Sequence, residues 1–252
     1  MRGSAMITTI VATSPIPCHP DIKHLRRTID SLKFVPLLDK SRILVVFDFP
    51  REQQNIEAYE AYKVNVRDHY KDKKNVECLY LEEWGHLSGV MRCGLSNVST
   101  PFIFAQQHDL PLLRGFDIEK VLECIENDDN VKHVRFNTRH HVIKGRDRAP
   151  LEEYPNPYVP LTSTGGWSDQ THITTAQYYA DVVFPEIGGR NVPVEAVLDR
   201  LYHTAPPGEV APLHARLGTF LYGTPRQPPM IEHTDGRKLI WRNKAFEPKF
   251  TV

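Results

Sequence analysis

The stretch PFIFAQQHDLP, which runs from Pro101 to Pro111, changes abruptly from apolar to polar residues. Its apolar part, residues 102–105, has the length and aromatic content of a buried strand. Gln107, His108 and Asp109 follow, and their amide, imidazole and carboxylate can bind hydroxyl groups, protons or a cation. Ligands of open parallel sheets bind beyond the carboxyl ends of the strands. The break therefore predicts a ligand site, with a plain polar turn as the alternative.

Three earlier segments end in the same way. Residues 7–12, 42–47 and 76–81 are apolar or β-branched runs typical of buried strands, and helical patterns separate them. Parallel strands place their carboxyl ends at one edge of a sheet, so the polar residues after them should share one crevice. These residues are Thr13, Ser14 and Pro15 after the first run, Asp48 after the second, and Gly85 and His86 after the third.

Four strand–helix repeats with short connections predict an α/β fold, a doubly wound and mainly parallel sheet flanked by helices. Residues 51–73 should form a long, largely exposed helix, and 133–136 a fifth strand. Beyond Asn137 the pattern becomes irregular, and 138–165 should be loops or a small hairpin. Helices are predicted over 174–183 and 194–203, a strand over 218–222, and a surface tail from Gly223.

Composition excludes several classes of protein. Among the 252 residues, 31 basic and 31 acidic residues cancel, so no overall field attracts nucleic acid or a membrane. No apolar run approaches the roughly 20 residues that cross a bilayer. Four scattered cysteines without metal-type spacing suit free thiols and a cytoplasmic location.

Residues 1–5 look like a tag remnant, and 6–252 are expected to form one domain with halves at 6–112 and 113–252.

Common catalytic signatures are missing from the sequence. There is no GxxxxGK loop, GxGxxG, GxSxG, HExxH or CxxC. What remains is a strand-end carboxylate with basic residues elsewhere in the chain, a combination that suits a divalent ion holding a diphosphate. The basic residues considered are His86, Arg92, His233, Arg237 and Lys238.

The stretch GHLSGVMRCGLSNVSTPFIFAQQHD resembles the nucleotide-sugar domain of GT-A fold glycosyltransferases, with its glycine, helix, strand and DxD motif in that order. The resemblance implies that Thr13, Ser14 and Pro15 line the base, that Asp48 accepts hydrogen bonds from the base or ribose, and that His86 and Arg92 lie along the nucleotide. Asp109 would match the last Asp of DxD and bind Mn²⁺ or Mg²⁺, with His233 as a possible second ligand and Arg237 near the phosphates. Gln107 departs from the motif because it brings no charge, and His108 is expected to be exposed.

Two acids in the second half are candidates for the general base that similar transferases use on the acceptor hydroxyl. Asp169 follows two glycines and Trp167, whose ring could stack on a sugar or lie buried under a turn. Glu195 stands at the start of a predicted helix, where it could also serve only the helix dipole. The sequence does not rank the two acids.

The function predicted from these residues is transfer of a sugar from a UDP- or dTDP-type donor to an acceptor hydroxyl, assisted by a divalent metal. A nucleotidyltransferase that makes sugar nucleotides is a second possibility, but the segment after the first strand lacks the Gly- and Arg-rich loop of that class. A nucleotide-sugar or glycan-binding module that has lost catalysis is the third, with Gln107 as its mark.

Overall fold

The computed structural model of the chain describes residues 6–51, 56–138, 152–225 and 227–234. The predicted tag remnant 1–5 and the basic pair Arg237 and Lys238 lie outside the described residues. The described strands form one nine-stranded sheet.

The first four strands confirm the sequence prediction. All four are parallel, with β1 between β2 and β4, and the apolar, β-branched character of the runs suits a sheet that is covered on both faces. They are β1 (Ile7–Thr13), β2 (Arg42–Phe47), β3 (Val76–Tyr80) and β4 (Phe102–Gln107).

The second half of the sheet is mixed, and here the sequence reading needs correction. β8 (His172–Thr175) lies between β4 and β5 (His133–Arg135) and is antiparallel to both. Thr174 and Thr175 were predicted to start a helix but belong to this strand, since their β-branched side chains suit a pleated sheet. β6 (Glu153–Tyr154) and β7 (Leu161–Ser163) form the small hairpin expected after Asn137, and β9 (Thr219–Tyr222) pairs with β7 and β5. The order of the strands across the sheet is β3-β2-β1-β4-β8-β5-β9-β7-β6.

Helices cover both faces of the sheet. The predicted helix over 51–73 is observed as α3, but it is less exposed than expected because Tyr59, Tyr62, Val66 and Tyr70 are buried. The helices are α1 (Lys23–Ser31), α2 (Pro36–Asp39), α3 (Ile56–Tyr70), α4 (His86–Ser96), α5 (Ile118–Asn127), α6 (Ala176–Tyr178), α7 (Phe184–Ile187), α8 (Val194–Thr204) and α9 (Val210–Leu217), with a π-helical turn at Tyr179–Val183 between α6 and α7. No helix among the described residues is long and apolar enough to cross a membrane.

Alternate residues of the central strands point to opposite faces and build two apolar layers. Ile7 and Val11 of β1 pack with α1, α3 and α5, whereas Ile10 and Ala12 of the same strand pack with α4, α8 and α9. The central sheet is therefore packed on both faces and supports the loops at its edge.

All four cysteines are free thiols, as expected.

Trp167 belongs to the second apolar layer and does not offer its ring to a sugar. Its side chain is 1% exposed, its ring stacks on His133 at 5.0 Å, and its indole N–H donates to the Tyr178 hydroxyl at 3.1 Å. A large aromatic ring finds more stabilisation in the core than at a polar turn, which explains why this side chain folds inward.

The segment before residue 235 also departs from the prediction of a surface tail. Met230 and Ile231 are 1% and 0% exposed, and Ile231 pairs with Leu112 in an antiparallel bridge. The two apolar side chains draw the end of the described chain against the turn that follows β4.

The Trp167→Ala variant should lower the free energy of unfolding by about 3–5 kcal/mol, because it empties a buried site and removes an indole hydrogen bond. Urea denaturation measures this change. The matched control is Trp84→Ala, since Trp84 is half-buried at the surface and should cost less than about 1 kcal/mol. Equal losses for the two variants would contradict the core position of Trp167.

Candidate functional site

A cavity of about 470 Å³ opens at the carboxyl ends of the parallel strands. We call it the rim cavity and define it by its lining residues. Eight of the residues singled out from the sequence line it, namely Thr13, Ser14, Pro15, Asp48, His86, Gln107, His108 and Asp169. The other lining residues are Ala12, Phe49, Arg51, Trp84, Leu87 and Val90.

The parallel register of the strands explains why residues so distant in sequence meet. Ala12 of β1 lies opposite Gln107 of β4, and the ladder continues one step further because the His108 N–H donates to the Ala12 carbonyl at 2.9 Å. On the other side of β1, the Asp48 N–H donates to the Thr13 carbonyl at 2.9 Å. The carboxyl ends of β1, β2 and β4 are thereby aligned at one edge of the sheet.

Asp48 connects the end of β2 with the start of α4. Its Oδ1 accepts hydrogen bonds from the N–H groups of Gly85 at 2.8 Å and Phe49 at 2.9 Å. Burial raises the pKa of this carboxyl group above its usual value. At position 85 a Cβ would lie 2.4 Å from Leu81 Cδ2 and 2.9 Å from the Gly89 Cα, so glycine is required for this close approach. The Asp48 carboxylate lines the rim cavity, where it can accept a further hydrogen bond from a ligand.

His86 begins α4 in a left-handed conformation, with φ of 53°. This conformation is uncommon outside glycine and is concentrated at functional positions. The His86 Nδ1 accepts from the N–H of Leu87 at 2.8 Å, and burial lowers the pKa of the ring. A neutral imidazole at the mouth of the cavity can donate a hydrogen bond from Nε2 to a ligand.

Two tyrosines of α3 support the loop that leaves β1. The hydroxyl of Tyr62 lies 3.0 Å from Thr13 Oγ1, and the Tyr59 hydroxyl donates to the Thr13 carbonyl at 3.2 Å. Both rings are fully buried. Thr13 is itself 2% exposed, so in this structure it shapes the floor of the cavity more than its open surface.

Arg51 and Trp84 line the cavity and were missed by the sequence analysis. The guanidinium of Arg51 lies 4.9 Å from the centre of the Trp84 ring, a cation–π contact. Arg51 stands three residues after Asp48, and Trp84 immediately precedes Gly85, so considering the whole loop after each strand would have found them. Together they add a permanent positive charge and a half-buried aromatic ring to the cavity.

Asp169 enters the cavity from the loop before β8 and lies within a small polar cluster. The Gln107 Nε2 is 3.4 Å from both the carbonyl oxygen and the Oδ1 of Asp169. The Glu195 Oε2 accepts from the Ser168 hydroxyl at 2.6 Å and from the Asp169 N–H at 3.3 Å. Glu195 therefore lies behind Asp169 and does not line the cavity.

The surroundings of Asp169 in this cluster disfavour its ionised form. Burial, followed by repulsion from Glu195, raises the pKa of Asp169 to about 8. An aspartate at position 107 would place a third carboxylate beside Asp169 and Glu195. The amide of Gln107 can instead donate a hydrogen bond to Asp169. The neutral residue in the motif is thus compatible with an acid poised near neutral pH.

His108 is buried, contrary to the expectation that it would be exposed. Its side chain is 4% exposed, and its carbonyl accepts from the Thr28 hydroxyl of α1 at 2.8 Å. Its Nδ1 lies 3.3 Å from the Ala12 carbonyl. The backbone ladder with β1 continues through residue 108, which turns the ring toward the cavity instead of toward solvent.

Asp109 lies outside the rim cavity. Its side chain is 2% exposed, and its Oδ2 is 3.1 Å from the Nε2 of His233. The Asp109 carbonyl accepts from the N–H of Thr234 at 2.9 Å and from its hydroxyl at 3.0 Å. Asp109 thus joins the turn after β4 to the segment before residue 235. The buried Met230 and Ile231 of that segment pack against the same turn.

The divalent ion that the GT-A resemblance implies does not fit these residues. Asp109 is turned away from the cavity and occupied by His233, and Gln107 has no charge. Within the described part of the chain, no group of three or more His, Cys, Asp or Glu side chains could hold a metal ion. We therefore assign no metal role to the Asp109–His233 pair.

Arg92 is also directed elsewhere. Its guanidinium donates to the Arg190 carbonyl at 2.8 Å and to the Asn191 Oδ1 at 3.2 Å, and it lies 5.5 Å from the Phe184 ring. It fastens α4 to the loop between α7 and α8, so the structure does not bring it to the cavity.

The raised pKa of Asp169 predicts a pH-dependent cost in stability. The unfolded chain releases this proton near the ordinary value for Asp, so ionisation favours unfolding increasingly from about pH 4 up to the folded pKa. Asp169→Asn removes this cost, and the melting temperature of the variant should exceed that of the wild type by a few degrees at pH 8 and converge with it at pH 4. Thermal melts across this range measure the difference.

The control for this measurement is Asp68→Asn on α3, whose side chain is 63% exposed. Its melting temperature should follow the wild type at both pH values. A constant difference between Asp169→Asn and the wild type across the range would contradict the raised pKa.

Comparisons with known proteins bear on the fold. No family model and no curated protein matches this sequence. The structure of S. aureus TarS, a GT-A glycosyltransferase, matches with a TM-score of 0.53 at 13% identity, over 94% of this chain and 38% of TarS. TarS 1–349 in complex with UDP-GlcNAc matches with a TM-score of 0.53 at 14% identity, over 91% of this chain and 58% of that one.

The complex of TarS 1–349 with UDP matches with a TM-score of 0.51 at 14% identity, over 94% of this chain and 62% of that one. This chain therefore spans less than two thirds of each of these proteins. At identities this low the structural similarity shows the fold alone, and it confirms the GT-A-like fold that the resemblance in the sequence implied. The chain has a GT-A-like glycosyltransferase fold, with a mixed sheet flanked by helices.

Proposed function

We propose that this protein transfers a sugar from a nucleotide diphosphate sugar of the UDP or dTDP type to an acceptor hydroxyl. The observation that carries the proposal is the rim cavity, in which residues from four successive strand ends and Asp169 meet at the carboxyl edge of a GT-A-like sheet. TarS, a structural neighbour, has been crystallised with UDP and with UDP-GlcNAc.

The donor's nucleotide would occupy the part of the cavity lined by the ends of β1, β2 and β3. Asp48 lines the cavity, and its carboxylate, which accepts from the backbone N–H groups of Phe49 and Gly85, can also accept from a base or ribose. Ser14, Pro15 and His86 complete this side. Among the described lining residues, Arg51 is the permanent cation and offsets the charge of the diphosphate.

Asp169 is the proposed general base, and Glu195 positions it. In the transfer, the bond between the anomeric carbon and the diphosphate oxygen breaks, and the acceptor oxygen bonds to that carbon. The acceptor's proton passes to the Asp169 carboxylate, and the nucleotide diphosphate leaves with the electron pair. Of the two acids, Asp169 lines the cavity and Glu195 does not, so Asp169 can reach the hydroxyl. A positioned base contributes about 10²–10⁴-fold in rate.

One observation favours a second function, a nucleotide-sugar-binding module without transfer activity. The sequence has Gln107 at the first position of the DxD-like motif, and Asp109 at its last position contacts His233 and does not line the rim cavity. The rim cavity therefore lacks the carboxylates with which the DxD motif of GT-A glycosyltransferases binds a cation on the donor's diphosphate.

Donor hydrolysis separates the two functions. The wild-type protein, incubated with UDP- and dTDP-sugars in manganese and again in EDTA, should bind a donor and release the nucleotide slowly in at least one condition. Asp48→Ala should weaken nucleotide binding at least tenfold by removing a buried hydrogen-bond acceptor. Calorimetry and chromatography of the released nucleotide give the two readouts. Tight binding without any release would favour the module.

The pH profile tests the base. Because burial and Glu195 raise the pKa of Asp169 to about 8, the ionised base becomes more abundant as pH rises, and kcat/KM should climb from pH 6 and level off above pH 8. Asp169→Asn should lower kcat by about 10²-fold or more and leave nucleotide affinity nearly unchanged. Glu195→Gln should retain activity and shift the rise to lower pH, since it removes the repelling charge. An unchanged profile in Glu195→Gln would argue against this pairing.

A further inference from the structure

A second cavity, of about 920 Å³, lies beside α1 and outside the rim cavity. One wall is α1 with the helical turn Leu32–Phe34, and the other consists of residues 111–113 and 232–234. We call it the basic groove. Its charged lining residues are Lys23, Arg26, Arg27, Asp30, Lys33 and Glu232.

The groove has an excess of positive charge in a chain whose net charge is zero. Four permanent cations face two carboxylates, Asp30 and Glu232, and two histidines lie among them. Arg27 pairs with Glu232, and Lys23 pairs with Asp21 at 3.4 Å. Arg26 and Lys33 form no ion pair with any described residue and are exposed. Cations that face an open groove favour an anionic ligand.

Exposed apolar side chains accompany these charges. Phe34 is 45% exposed and Leu113 is 38% exposed, and the Lys33 ammonium lies 6.0 Å from the Phe34 ring. An aromatic face beside cations matches a sugar that carries acidic groups, because its C–H face can stack on the ring while its carboxylate or phosphate meets the cations. A flat anionic membrane would not use a concave site of this kind.

The walls of the groove are joined beneath it by buried hydrogen bonds. The Thr28 hydroxyl of α1 donates to the His108 carbonyl at 2.8 Å, and the Ser31 hydroxyl accepts from the Leu112 N–H at 2.9 Å. Both hydroxyl side chains are buried. The groove is therefore preformed, which reduces the entropic cost of binding a ligand.

The sequence after Thr234 is a poor occupant for this groove. Residues 235–252 contain five basic and two acidic residues, so their charge has the same sign as that of the groove. Like charges disfavour docking of this segment and favour an anionic ligand from outside the chain.

We propose that the basic groove binds an anionic glycan chain, and that this chain is the acceptor or a part of it remote from the reacting hydroxyl. The assignment to the acceptor rests on the transferase function proposed above. The turn after β4 connects the two sites, because His108 lines the rim cavity and Asp109 contacts His233, which lines the groove. A glycan held in the groove would therefore be separated from the rim cavity by the turn that follows β4.

Direct binding in the absence of donor tests the groove. A fluorescently labelled oligogalacturonate should bind the full chain, with an affinity that falls as salt rises, and a labelled neutral maltooligosaccharide should bind far more weakly. Arg26→Ala/Lys33→Ala should weaken binding about tenfold, since it removes two exposed cations without breaking an ion pair. Phe34→Ala should weaken it several-fold as well.

The matched control is Lys71→Ala/Lys74→Ala, which removes the same charge from the exposed turn between α3 and β3, likewise breaks no ion pair with a described residue, and should leave binding unchanged. Equal weakening by the two double variants, or equal binding of the neutral chain, would overturn the proposal. Binding to inorganic polyphosphate or to vesicles of phosphatidylglycerol and phosphatidylcholine that depends on Arg26 and Lys33, with no binding of oligogalacturonate, would overturn it in favour of another polyanion or a membrane surface.

Nucleotide release distinguishes this proposal from the proposed function. A wild-type protein that releases nucleotide from a sugar donor but does not bind oligogalacturonate would overturn the groove alone. A protein that binds the chain through Arg26 and Lys33 but never releases nucleotide would overturn the acceptor role and the transferase function, and would leave a glycan-binding site.

Discussion

The parallel pairing of β1 with β2 and β4 is the constraint on which the rest of this structure depends. It brings Thr13, Asp48 and Gln107 to the same edge of the sheet, although they are far apart in the sequence. Two backbone hydrogen bonds beyond the strands, into Ala12 and Thr13, carry this alignment into the loops. A shift of the register by one residue would turn the polar side chains to the other face and separate them.

Two acids of similar type have different environments at this edge. Asp169 faces the rim cavity, and Glu195 lies behind it with the Ser168 hydroxyl and a backbone N–H as hydrogen-bond donors. The negative charge of Glu195 makes ionisation of the neighbouring Asp169 more costly. The neutral Gln107 fits this arrangement, because another carboxylate there would increase the repulsion.

The turn that follows β4 borders both the rim cavity and the basic groove. On one side, His108 lies in the rim cavity. On the other, Asp109 holds His233, and Leu112 pairs with Ile231 beside the basic groove. Hydroxyl groups of α1 bind the same turn from below. The carboxylate that resembles the last acid of a DxD motif thus acts as a structural joint between the sheet edge and the end of the described chain.

Local sequence was sufficient for the elements built from short-range patterns. The four parallel strands and the convergence of their polar ends follow from apolar runs of strand length and from the rule that parallel strands end together. The GT-A-like fold was implied by a resemblance to that family in the order of the elements and in the motif at the end of β4. Thr174 and Thr175 show the limit of this reasoning, because a helix and a strand compete for the same residues until a neighbouring strand supplies hydrogen bonds.

Side-chain direction was decided only by the tertiary structure. Asp109 and Trp167 each have a polar or aromatic group that could face a ligand, and both instead face protein, since His233 and the layer under α6 offer partners from distant parts of the chain. Arg92 turns to the loop before α8 for the same reason. The residue types and their strand-end positions were therefore determined by the sequence, whereas long-range packing decided which of those groups face the cavity.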